Sequence, residues 1–70
     1  MKIGYRIENL RKRRNVTLNE LALKTGLTAS FISQLERDLT SASIDSLEKI
    51  ASALDTNVVY FFDGAEQEGL

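Results

Sequence analysis

Val16-Thr-Leu-Asn-Glu-Leu-Ala-Leu-Lys-Thr-Gly-Leu-Thr-Ala-Ser-Phe-Ile-Ser-Gln-Leu-Glu-Arg37 carries two helix starts and one helix stop. Thr17 with Glu20 three residues later has the spacing of a capping box, in which each side chain accepts the other residue's backbone N–H. Val16 and Leu21 stand where a hydrophobic staple packs. A helix over about 18–25 follows, with Leu21 and Ala22 inward. Gly26 ends it, because glycine enters a left-handed turn without strain. Thr28 is the next cap, flanked by the staple-like pair Leu27 and Ile32. It opens a helix over about 29–37 that buries Ile32 and Leu35.

The periodicity remains helical on both sides of this stretch. Ile3, Ile7 and Leu10 recur at i, i+4 and i+7, which predicts a first helix over about 3–14 that Asn15 ends. Residues 38–43 read as a loop. Ser43 can cap a fourth helix over about 44–54, with an apolar stripe of Ile44, Leu47, Ile50, Ala51 and Leu54. Asn57 can cap a short fifth helix holding Val58, Val59, Phe61 and Phe62. No strand alternation or internal repeat interrupts the series. The expected fold is all-α, five short helices around one core over residues 1–62, with residues 63–70 a frayed acidic tail.

Composition excludes several classes of function. The 70 residues contain no Cys and no His, so disulfides, thiolate metal sites and the commonest general base and metal ligand are all missing. Catalysis is not expected in a chain with so little room for a walled pocket, and neither a cofactor nor a metal is expected. Met1-Lys2-Ile3-Gly4-Tyr5-Arg6 holds no apolar leader, and no run approaches the ~18 to 20 apolar residues of a membrane span. A cytoplasmic protein without membrane contact is the expectation. The net charge of −1 conceals a segregation: residues 1–37 carry eight Lys or Arg against three Glu, and residues 38–70 one Lys against seven Asp or Glu. An anionic ligand would meet the field of the first half. The run Arg11–Arg14 is equally readable as the solvated end of a helix, where cations suit the dipole.

The second and third helices are joined by about three residues, and Ala22 is small enough to let the next helix approach. Ala22, Gly26, Ile32 and Leu35 fall at the intervals of a helix-turn-helix, whose second helix lies in the major groove of DNA. With Ile32 and Leu35 inward, a 100° step turns Ala29, Ser30, Ser33, Gln34 and Arg37 outward. Gln34 can pair with adenine N7 and N6, Ser30 can meet several base edges, and the Ala29 methyl can touch a thymine methyl. Ordinary solvated surface is the competing reading. An outward face almost free of acidic residues argues against it. Phe31, at the flank, reads either as a partly buried aromatic or as a base contact.

Leu-Thr, Glu-Leu-Ala, Thr-Gly-Leu, Ser-Phe, Ser-Gln and Glu-Arg within this stretch resemble the phage-repressor/Cro-type (XRE) helix-turn-helix family, and the likeness extends over about residues 3–62. The resemblance implies a repressor-like DNA-binding domain with base contacts from Ala29, Ser30, Ser33 and Gln34. It implies phosphate contacts from Thr17, Thr28, Arg37, Thr40 and Ser41, and an ion pair between Arg11 and Glu36. Three positions depart from the family. Leu18 stands where many members have Gln, Asp38 replaces the usual Gly after the third helix, and Ala42 replaces the usual Pro.

One recognition helix reads few bases, so a homodimer on a palindromic double-stranded DNA operator is expected, paired through Val58, Val59, Tyr60 and Phe62. The competing reading has these four residues only closing the core. A protein-binding adaptor or antitoxin on the same fold, with an unknown protein partner, is the alternative function. The DNA-binding piece of a larger ligand-sensing regulator is another. The expected function is a dimeric, sequence-specific transcription regulator acting as a repressor.

Overall fold

Side chains that reach back to the backbone set where the helices begin. The computed structural model describes residues 3–62, so the expected acidic tail lies outside the described residues. Its helices are α1 (Ile3–Arg13), α2 (Leu18–Thr25), α3 (Ala29–Glu36) and α4 (Ile44–Ala53). Residues 59–62 form the helical turn α5, which runs to the last described residue. At α2 the capping box is complete: Glu20 N donates to Thr17 Oγ1 at 3.0 Å and Thr17 N to Glu20 Oε1 at 2.8 Å. Phe31 N donates to Thr28 Oγ1, Ser46 N to Ser43 Oγ and Val59 N to Asn57 Oδ1. Each bond satisfies an amide that a helix start leaves without a partner.

The helix ends follow one rule with different residues. Gly26 closes α2 at φ 77°, its N–H donating to Ala22 O. Asn15, Asp38 and Asp55 take the same left-handed backbone, at φ 60°, 59° and 63°. Asn15 and Val16 donate to the carbonyls of Lys12 and Arg11, Asp38 and Leu39 to those of Leu35 and Gln34, and Asp55 and Thr56 to those of Ser52 and Ala51. These crossed pairs are Schellman turns on three helices, made without glycine. Asn and Asp are the side-chain-bearing residues that best tolerate this backbone, whose cost is about 1–2 kcal/mol for an ordinary L residue.

The core gathers around fully buried Ile7, Leu21, Ile32, Ile50, Leu54 and Phe61. Helix α3 packs on both α1 and α2, and α2 packs on α4. Arg14 ties the C-terminal end of α4 to α1, its Nε donating to Leu54 O at 2.9 Å. Ile44 departs from the expected stripe and is 57% exposed. As the first residue of α4 it projects over the chain that precedes the helix rather than onto the core, which the stripe reaches only at Leu47. Phe31 is half-buried and packs against the core.

Phe61→Ala is expected to cost about 3–5 kcal/mol, comparable with the whole stability of so small a domain, so its thermal melt by circular dichroism should lose the cooperative transition. Thr17→Ala should lower stability by only about 1 kcal/mol and leave a cooperative melt.

Candidate nucleic-acid interface

Two faces of α3 differ in every physical respect. Ile32, Leu35 and Glu36 are buried, whereas Ser30, Gln34 and Arg37 are exposed and Ala29 and Ser33 half-buried. The outer stripe therefore offers two hydroxyls, a carboxamide and a guanidinium along about 12 Å of helix. It carries no negative charge, because Glu36 is the one acidic residue of α3 and it points inward.

Glu36 is held there by Arg11. Nε of Arg11 donates to Glu36 Oε2 at 2.6 Å and Nη2 to Oε1 at 3.1 Å, a two-pronged pair from α1 to α3. A third donor, Nη1, reaches Val16 O at 2.9 Å in the linker before α2. The bond to Glu36 raises the Arg11 guanidinium above its ordinary value by more than burial lowers it. Arg11 is therefore cationic throughout the range in which proteins fold. Within Arg11–Arg14, Arg11 and Arg14 thus serve structure. Lys12 pairs with Glu8 at 3.1 Å on the surface, where such pairs contribute little. Arg13 is exposed.

The candidate phosphate contacts lie toward the two ends of the stripe. Thr17 and Thr28 are exposed caps at the starts of α2 and α3. A hydroxyl that accepts one N–H still has a proton to donate, here toward an anion at an amide-rich helix start. Thr40 and Ser41 are exposed in the loop that follows α3. The turn between α2 and α3 is fixed by Gly26 and by Thr25, whose buried Oγ1 donates to Leu21 O at 2.8 Å and accepts from Leu27 N at 3.2 Å. Only three residues, 26–28, separate the helices.

A match to the helix-turn-helix family covers residues 7–61. The chain belongs to the XRE-type helix-turn-helix family.

Among its relatives is the HTH-type transcriptional regulator SinR of Bacillus subtilis, 44% identical over 62 residues, which are 87% of this chain and 56% of SinR. The chain spans about half the length of the curated relatives it matches. The crystal structure of SinR, the master regulator for biofilm formation, in complex with DNA superposes with a TM-score of 0.81 at 44% identity, covering 87% of this chain and 98% of that one. The P22 c2 repressor in complex with a synthetic operator gives 0.83 at 28% identity, covering 91% and 97%. The fold is thus the repressor-like arrangement, with α2 and α3 as the helix-turn-helix.

Several features of this helix-turn-helix were not anticipated from the sequence. Leu18 is half-buried and packs against the core. Lys12, Asn15, Thr17 and Asn19 line an open groove that reaches Ala29. Of these only Thr17 was expected near a phosphate. The left-handed turn at Asn15, which folds the end of α1 onto the start of α2, is the signal that would have grouped them. Of Val58, Val59, Tyr60 and Phe62, three are half-buried and packed against the core, and only Val59 is exposed, at 50%.

Removing one partner of the buried pair strands the other charge. Glu36→Ala should cost about 3–5 kcal/mol in urea denaturation, and Arg11→Met with Glu36→Leu should recover most of that loss.

Proposed function

We propose that this chain is a sequence-specific double-stranded DNA-binding transcription regulator that represses as a homodimer on a palindromic operator. One observation carries the reading: the exposed stripe of α3 is polar, free of acid, and set on a helix whose other face is locked into the body by Arg11. The major groove accepts such a helix, and each base pair there presents its own pattern of donors and acceptors. Gln34 reads adenine, Ser30 and Ser33 reach base edges, and Ala29 meets a thymine methyl. Thr17, Thr28, Arg37, Thr40 and Ser41 hold phosphates on either side.

The reading is supported by the relatives, since SinR and the P22 c2 repressor are each known in complex with DNA. It makes the chain a binding protein and not an enzyme, acting in the cytoplasm. Among the described residues no helix is long and apolar enough to cross a membrane. Two copies pair through the end of the domain that carries Val59, which places two α3 helices about 34 Å apart on one face of the duplex.

Selection of duplexes from a random pool should return a twofold-symmetric sequence. Gln34→Ala should then lower discrimination at one base pair per half-site by about 1–3 kcal/mol, while Arg37→Ala weakens all sequences alike. Affinity should fall about tenfold between about 50 and 200 mM salt, because the two Arg37 side chains of a dimer neutralise two phosphates. A flat salt response, or a Gln34→Ala chain with unchanged site preference, would overturn the assignment.

A further inference from the structure

The turn that ends α3 places a carboxylate where the backbone favours glycine. Asp38 sits at φ 59°, a left-handed backbone that Asp tolerates at some cost. Its Oδ1 accepts the N–H of Gly4 at 3.3 Å, across 34 residues of sequence. The first turn of α1 contains no acidic residue of its own. Asp38 thus supplies, from the far end of α3, the negative group that the amide end of α1 lacks.

Gly4 is the point where the two helices meet backbone to backbone. A Cβ at Gly4 would stand 2.1 Å from the Leu35 carbonyl oxygen and 2.7 Å from that of Glu36. Seven residues further along α1, Arg11 grips the Glu36 side chain. That interval is two turns, about 10 Å, on one face of α1. The C-terminal end of α3 is therefore attached to α1 at two separated points, and two points fix a direction where one permits a swivel.

From this geometry, and resting on the DNA-binding reading above, we infer that Asp38 is a positioning residue for base recognition, with Gly4 as its seat. The Gly4–Asp38 contact sets the pitch at which α3 enters the groove. Gln34 and Arg37 lie within one turn of the attached end, and hydrogen bonds to base edges tolerate only a few tenths of an ångström.

Two substitutions separate the carboxylate's grip from the backbone turn. Asp38→Gly keeps the left-handed turn and removes the side-chain oxygen, whereas Asp38→Asn keeps an oxygen that can accept from Gly4. The probes are a duplex selected from a random pool by the wild-type chain and a shuffled duplex of the same composition. Asp38→Gly should melt no lower than wild type, lose hydrogen-exchange protection at the Gly4 amide, and lower the selected-to-shuffled affinity ratio by about tenfold. Asp38→Asn should hold that ratio to within about threefold. An unchanged ratio in Asp38→Gly overturns the inference, as does a loss of stability with equal weakening on both duplexes. If the wild-type chain selects no duplex, the DNA-binding reading itself fails.

Discussion

The two-pronged bond between Arg11 and Glu36 is the constraint on which the arrangement of α1, α2 and α3 depends. One guanidinium satisfies a carboxylate on α3 and a carbonyl in the α1–α2 linker, so a single side chain orients three parts of the chain. Its net contribution to stability is small, because the attraction is largely offset by the cost of removing both charges from water. What the pair supplies is a fixed register between α1 and α3. An apolar contact at that place could slide, but a fork of two N–H groups on two oxygens fits in one register. The same bond removes the acidic side chain of α3 from its outer face, and so shapes the field that a polyanion meets.

Much of the fold was legible because its punctuation is local. Thr17 with Glu20, Thr28, Ser43 and Asn57 act on amides two or three residues away, and Gly26 acts on its own φ. Chemistry confined to one turn can be read from spacing. The residues that escaped reading act across the chain or depend on packing. Arg14 reaches Leu54 over 40 positions, and nothing in a run of basic residues says which of them will cap a distant helix. Ile44 satisfies the helical period, yet its place at the first position of α4 turns it toward solvent. Whether Val58, Val59, Tyr60 and Phe62 close the core stayed open in the sequence, because that depends on how much room the core leaves and periodicity does not measure volume.

The site was legible to a different degree. Burial of Ile32 and Leu35 decides by elimination which residues of α3 face outward, so Ser30 and Gln34 followed from the helical period alone. Ser33 and Ala29 sit at the margins of the stripe, half-covered, where a 100° step is too coarse to separate flank from face. The departure at position 38 could be seen in the sequence as a strained substitution. Its partner, Gly4, could not, because their meeting depends on the close approach of two backbones.

Most capping bonds close within a few residues, and the buried Arg11–Glu36 pair spans 25. Helical domains built on such short-range contacts fold in microseconds to milliseconds, and a chain without proline has no slow isomerisation to wait for. A ribosome adds only about 5–20 residues each second. Folding is therefore faster than the addition of a single residue, and the domain forms without delay once Phe61 is free to enter the core.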